Sequence, residues 1–580
     1  MLSHHRRLIL GPIPVVLAMA LIACASMASA AAAAPAQPKT EVLKPAAKAP
    51  AQALAPTAAP GALVQAAPAA APAAAKAAKP APNKDVLYFG MQSEPNTLDP
   101  HLSTSVNDIH LWNVYERLVD MDRKTSQLVP ELAESWQISP DGKTYTFKIR
   151  KGIKFHDGTL LDAEAVKWNF ERVIAVKSPA LTEVYQSVDR VEVVDDSTVR
   201  VTLKSVVGPW IGMLMFNPKM VSPTAAKKNE KGGDLGQDWL KENTAGTGPY
   251  MLKSWQRGRD LVWTKFPDYW RGWNKPHVSE VHNIIALEPG TQRLMIEKGD
   301  LDVSLIFTMD SLPVLRKNPD LEVLNHDVPT NLYIRLNNVC GPLADKRVRK
   351  ALAYAWDYAT YEKLLGVSAP RSDGPIPIVL FGPGYKPPTI PQNQYDLKKA
   401  KQLLKEAGHE KGFTMTLVQD GFPPKPTIAE LFQSQAAKIG VTAKIVQEPF
   451  LNQLARGADA EAQKDPQRCM GAFILFTPPL YPDPASFLNR MYVPNPPGVR
   501  NLMYYNNPEV TRLTQEGVQQ LDRAMAMKLY YRAAQLIIED APDIFLDRAT
   551  EYVIIRKWVK GHVFHPTQPW EWRFYDVWKE

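Results

Sequence analysis

The chain has 580 residues, 45% of them hydrophobic and 22% charged. That balance excludes whole-chain disorder and a polytopic membrane protein, and the length demands more than one domain. The formal net charge of +8 sits mostly in a tail: residues 1–82 hold seven basic side chains against the single acid Glu41, leaving +2 for residues 83–580. A basic tail is not a basic face, so charge makes no case for nucleic-acid binding.

Residues 1–30 read as an export signal. His4, His5, Arg6 and Arg7 form a positive n-region, Leu8 to Ala23 is apolar, and Ala28-Ser29-Ala30 suits cleavage beside small residues. The apolar run is shorter than the ~20 residues that span a bilayer. Leu21-Ile22-Ala23-Cys24 has the form of a lipobox, which makes Cys24 a lipidation candidate; the alternative is that Cys24 is simply a small leader residue. Arg6-Arg7 leaves twin-arginine export open beside the general route. Residues 31–82 contain 25 alanines and 10 prolines in 52 positions. Proline breaks the alanine runs and few large apolar groups are present, so a disordered, partly extended spacer is expected.

The body opens with a short buried strand at 86–91. An alternating strand at 144–150 follows the Pro140-Asp141-Gly142 turn. Asp162 is placed to cap a helix that runs to about Val173, with Val166, Phe170 and Val173 on one face. Residues 198–203 alternate again. Three- and four-residue apolar spacing predicts helices over 345–357, 396–407, 427–439 and 522–541, and Pro-rich loops are expected at 375–391 and 478–497. Strands and helices mix without strict βα repetition, so the fold class is α/β with mixed sheets. In Asn331–Asn338, Leu332, Ile334 and Leu336 point one way and Tyr333, Arg335 and Asn337 the other. Two readings fit the second face: a solvated surface, or the lining of a wet cleft.

Catalytic motifs are missing. No HExxH, GxSxG or phosphate-loop pattern occurs, and Gly246-Thr247-Gly248 lacks the third glycine of a dinucleotide site. His277/His282 and His562/His565 have no metal-site companions, and no CxxC pair exists. No enzyme activity, metal or cofactor is expected.

Several segments share one order: Glu94-Pro95-Asn96-Thr97-Leu98-Asp99-Pro100, Val114-Tyr115-Glu116-Arg117-Leu118-Val119, Pro130-Glu131-Leu132-Ala133-Glu134-Ser135-Trp136, Lys151-Gly152-Ile153-Lys154-Phe155-His156-Asp157-Gly158, Gly246-Thr247-Gly248-Pro249-Tyr250 and Arg347-Val348-Arg349-Lys350-Ala351-Leu352. Together they resemble the large extracytoplasmic solute-binding proteins of ABC importers, family 5, whose members include oligopeptide-, dipeptide- and nickel-binding proteins. The resemblance covers roughly residues 85–580. It implies a two-lobed periplasmic-binding-protein (Venus-flytrap) fold with an extra domain inserted in the first lobe. Lobe I would be 85–128, 244–334 and 546–580, the insert 129–243 and lobe II 335–545, with crossings at Asn331–Asn338 and near Ile544-Phe545-Leu546. It further implies capture of a peptide-like or other small solute by hinge closure, delivery to an inner-membrane permease with its ATPase subunits, a periplasmic monomer and no nucleic-acid partner. His156-Asp157 then reads as a scaffold turn.

The resemblance also nominates site residues: Glu94, the strand face Tyr333, Arg335 and Asn337, Tyr481 and Asp483 on a far wall, and Trp136 and Tyr185 from the insert, with core packing the alternative for Trp136 and Tyr481. Relatives that hold a free peptide amine carry an Asp just before a Tyr-x-Asp/Glu-Pro segment. Here Leu480 stands before Tyr481-Pro482-Asp483-Pro484, and Thr477 replaces a customary Trp. An amine in a closed cleft needs a counter-charge, which Leu480 does not supply and Arg335 would oppose. The solute is therefore expected not to be a simple free-amine peptide, with Asp483 or Glu94 as the rival amine partner. A nickel chelate is the alternative within the family; an exported hydrolase, sensor or chaperone is the alternative outside it. Cys340 and Cys469 would come together if their strands pair antiparallel, and an exported compartment permits a disulfide.

Overall fold

The computed structural model describes residues 83–91, 94–103, 110–125, 127–177, 185–365, 371–382, 384–422, 424–494, 501–565 and 571–580. The leader, the Ala/Pro spacer and Cys24 lie outside the described residues. A ten-stranded mixed sheet organises the body. From one edge its order is Val441–Gln447, Phe413–Gln419, Ala472–Thr477, Leu321–Leu336, Asp543–Arg556, Val303–Ser304, Val86–Gly90, Glu280–Ile284, Asp260–Lys265 and Tyr250–Gln256. Val86–Gly90 lies parallel to both its neighbours, as Phe413–Gln419 does to its own, and the other pairings are antiparallel.

Two strands are far longer than the rest, Leu321–Leu336 and Asp543–Arg556. They pair from Leu321↔Arg556 to Arg335↔Asp543, with register shifts between Asp327 and Asn331 and between Leu332 and Tyr333. At one end the Asp543–Arg556 strand also pairs with Val303–Ser304; at the other, Asn331–Leu336 pairs with Ala472–Thr477. Between those zones the two long strands pair as strands only with each other among the described residues. They form a two-stranded neck that joins two half-sheets. Bulges there add twist and bend the ribbon. Each half has its own core: Leu87, Phe89, Leu261, Trp263, Val281 and Trp572 on one side, and Leu332, Ile334, Leu336, Leu352, Phe432 and Ile474 on the other.

A separate antiparallel sheet lies in 133–203, ordered Ala133–Ile138, Thr144–Ile149, Thr198–Leu203, Val188–Asp195. Helix Ala163–Val176 covers it with Val166, Phe170 and Val173 buried. Its start is set as expected, by the Asp162 side chain accepting from Ala165 N at 2.8 Å. The other four expected helices occur at Lys346–Tyr354, Leu397–Glu406, Lys425–Ala437 and Arg523–Asp540. Asp345, Asp396 and Asp522 cap three of them. The expected loop 478–497 contains helix Ala485–Met491, a difference that traces to Asp483 and Pro484 starting a turn rather than a coil.

Gly246 and Gly248 explain how the chain passes between these units. A Cβ at Gly246 would collide with the Val114 carbonyl, and one at Gly248 would lie 2.5 Å from Asn113 O. His156 N donates to Gly246 O, and His156 Nε2 lies 2.9 Å from Gly248 O, so this histidine serves the crossing of backbones.

Candidate functional site

The Asn331–Asn338 strand was expected to show one apolar face to a core and one polar face to water. The apolar half is as expected. The polar half is not wet: Tyr333, Arg335 and Asn337 are all fully buried. Arg335 Nε donates to Asp543 Oδ1 at 2.8 Å, its Nη2 donates to Met491 O, and Tyr492 OH donates to Asp543 Oδ2 at 2.6 Å. Asn337 Nδ2 donates to Gln463 Oε1 and Met470 O. Tyr333 OH donates to Pro375 O at 2.8 Å. The reason is a second layer, 375–381 with 481–492 and 526–538, laid over the strand's other face. Its charges are matched inside the fold, as a buried guanidinium requires.

Tyr481 lies in that same layer. Asp483, 5% exposed, accepts from Ala485 N at 2.9 Å and from Arg523 Nη1 at 3.3 Å; burial pushes its carboxyl up to about 6 despite those bonds. Glu94 accepts from Trp255 Nε1 at 3.0 Å and from Gly258 N at 3.1 Å, tying its loop to the adjacent hairpin. Trp136 is half-buried against the core of the separate sheet, and Tyr185 is half-buried just ahead of Val188–Asp195. The structure thus gathers Tyr333, Arg335, Tyr481 and Asp483 into one region, and leaves Glu94, Trp136 and Tyr185 on other elements.

The neck brings up residues that sequence reasoning passed over. Asp547, on the second long strand, accepts from Tyr361 OH at 2.9 Å, and burial pushes its carboxyl up to about 7. Its neighbour Arg548 reaches Asp373 Oδ2 at 3.3 Å. Arg371 makes a backbone bridge to Asp547 and an ion pair with Glu362 at 2.9 Å. No motif flags these side chains; their one sequence signal is the pair of acids in Asp543–Asp547, spaced within an otherwise apolar run.

The separate sheet's domain reaches the segments at 482 and 518–520. Gly208 N donates to Val518 O at 2.7 Å, and any Cβ at Gly208 would strike Gln520 O. Gly212 faces Pro482, where a Cβ would sit at 3.6 Å. Cys340 and Cys469 are joined as a disulfide with Cα atoms 6.1 Å apart, at the same end of the antiparallel pair Asn331–Leu336 and Ala472–Thr477. Among the described residues no group of three or more His, Cys, Asp or Glu side chains is arranged to hold a metal ion, and no helix is long and apolar enough to cross a membrane.

Two half-sheets joined by a two-stranded neck, with a third domain touching both sides, define a two-lobed binding protein. Residues 127–498 match the model of bacterial extracellular solute-binding proteins, family 5. The chain is 31% identical over 495 residues to the probable D,D-dipeptide-binding periplasmic protein DdpA of Escherichia coli K12, covering 83% of this chain and 92% of that protein. It is 28% identical to the glutathione-binding protein GsiB of Shigella flexneri, covering 84% and 92%. The structure of the ABC transporter-associated periplasmic binding protein DppA of Helicobacter pylori, in complex with peptide STSA, superposes with a TM-score of 0.75 at 25% identity, covering 85% of this chain and 98% of that one. The chain belongs to the family 5 extracellular solute-binding proteins of ABC importers.

Proposed function

We propose that this protein captures a peptide-like solute in the periplasm, closes its lobes on it, and hands it to a membrane permease powered by separate ATPase subunits. It acts as a monomer, without cofactor or catalysis. The leader at 1–30 and the periplasmic relatives support the location. Cys24 remains the candidate lipid anchor. We assign lobe I to 85–128, 244–334 and 546–580, the insert to 129–243, and lobe II to 335–545. Closure follows because solute contacts both lobes only in the closed arrangement and so shifts the population toward it.

The solute lacks a free N-terminal amine: it is neutral or anionic, such as an N-blocked peptide or a glycoconjugate. One observation carries this reading. Leu480 stands where an acid would be needed, and both rival acids, Asp483 and Glu94, already accept hydrogen bonds from the protein. Calorimetry with unmodified di- to pentapeptides and their N-acetylated counterparts tests it. The acetylated series is expected to bind more tightly by at least about tenfold, the scale of one desolvated charge left unpaired. Micromolar binding of unmodified peptides that Asp483→Ala abolishes would overturn it.

A further inference from the structure

In the neck, His326 on the first long strand stands directly opposite Glu551 on the second. Cross-strand partners share a face of the ribbon. Both Glu551 carboxyl oxygens are shielded from solvent, and neither has a hydrogen-bond partner. The same holds for His326 Nε2 and for His562 Nδ1. Aromatic stacking fixes these rings: His326 lies on Phe564 at 4.1 Å and 12°, and His562 on Trp572 at 3.8 Å and 11°, with the two imidazoles 6.1 Å apart.

The other acids on the same strand have donors, Asp543 at both oxygens from Arg335 and Tyr492, and Asp547 at Oδ2 from Tyr361, with only its Oδ1 unbonded. Glu551 is different. A buried carboxyl without counter-charge or donor keeps its proton, and a polar group left unpaired in a fold costs stability unless something outside the chain pairs with it. Burial accordingly raises the Glu551 carboxyl well above the usual range, pushes His562 down to about 3 and lowers His326. The cluster is polar, rigid and uncharged, and it lies where the two lobes are joined.

Building on the solute-binding reading above, we propose that Glu551, with His326 and His562 beside it, is a subsite for an amide group of the solute. The carboxyl O–H donates to the carbonyl oxygen of a terminal carboxamide while the carboxyl C=O accepts from its syn N–H, which lies on the same edge, a matched pair of hydrogen bonds that transfers no net charge; a trans peptide group, whose C=O and N–H point apart, would make one of the two. The flanking ring nitrogens are available to a neighbouring carbonyl or N–H.

Calorimetry and native mass spectrometry on the exported full chain test this, with N-acetyl dipeptide and tripeptide amides as probes and their free-amine forms as controls. Glu551→Gln keeps one donor and one acceptor and is expected to bind the acetylated probes within about threefold of the parent. Glu551→Leu keeps neither and is expected to lose roughly tenfold or more. Thermal unfolding separates binding from folding: with no partner lost, Glu551→Leu is expected to be at least as stable as the parent. Unchanged probe affinity in Glu551→Leu overturns the subsite, as does equal loss in both variants. A parent protein that binds free-amine but not acetylated probes overturns the reading that the solute lacks a free amine, and the same Glu551→Gln against Glu551→Leu comparison is then made on the free-amine series. Absence of any solute in protein purified from its own periplasm, with neither probe series bound, would instead defeat the solute-binding reading itself.

Discussion

Arg335 shows how one side chain's role turns on its surroundings. It is fully buried, its Nε is 2.8 Å from Asp543, and Tyr492 completes the acid's hydrogen bonding. Breaking one half of a buried pair leaves the other charge uncompensated, at about 3–5 kcal/mol. Arg335→Leu is expected to lower stability by that amount in urea unfolding. The double variant Arg335→Met with Asp543→Leu should recover part of the loss, because both charges leave together. A single variant within about 1 kcal/mol of the parent would refute the structural role. Glu551 is the counter-case on the same strand: its removal is expected to cost nothing in stability.

Among elements, the contact between the separate sheet's domain and the 518–521 segment is built on glycine. Gly208 approaches so closely that its amide bonds Val518 O and no side chain fits. Gly208→Val is expected to hold the two segments apart and weaken solute binding about tenfold, with little change in unfolding of the solute-free protein. Equal affinity would mean that closure does not use this contact. The disulfide links elements 129 residues apart in sequence. Closing so long a loop restricts the unfolded chain, so Cys340→Ser under oxidising conditions is expected to cost about 2–4 kcal/mol. Adding reductant should lower the parent's melting temperature and leave the variant's unchanged.

At the scale of the whole molecule, buried histidines shape the response to acid. Burial pushes His101 and His110 down to about 3, and His156 and His565 to about 4. The unfolded chain takes up these protons below about pH 6.5, whereas the folded protein does not until near pH 3–4. Stability is therefore present above pH 6.5 and lost as pH falls through that window. The buried acids Asp483 and Asp547, with carboxyls raised to about 6 and about 7, oppose this: they stabilise at low pH and lose that contribution as pH rises through those values. His110, stacked on Trp263 at 5.7 Å with neither ring nitrogen bonded, isolates the histidine contribution. His110→Phe is expected to flatten the stability slope between pH 6.5 and 4 by up to about 1.4 kcal/mol per pH unit. An unchanged slope would show that His110 is not held neutral.

The sequence by itself determined the elements whose signals are local. Asp162 marked a helix start, because a short acid can bond the free amides of a first turn wherever the helix ends up, and three- and four-residue apolar spacing marked the helices that Asp345, Asp396 and Asp522 cap. The ordered segments from Glu94 to Leu352 carried the family. Alternation correctly sent Leu332, Ile334 and Leu336 into a core. What it left undecided was the cover over Tyr333, Arg335 and Asn337. A two-residue period says which side chains share a face, but what lies across that face comes from segments 40 to 210 positions away, such as Pro375, Met491 and Asp543. Tertiary structure alone decided that this polar face is satisfied within the protein, while Glu551, an unremarkable acid in the sequence, was left in the neck with nothing to bond. The cost of burying charge explains both outcomes, since an ionised group survives inside a fold only beside its partner.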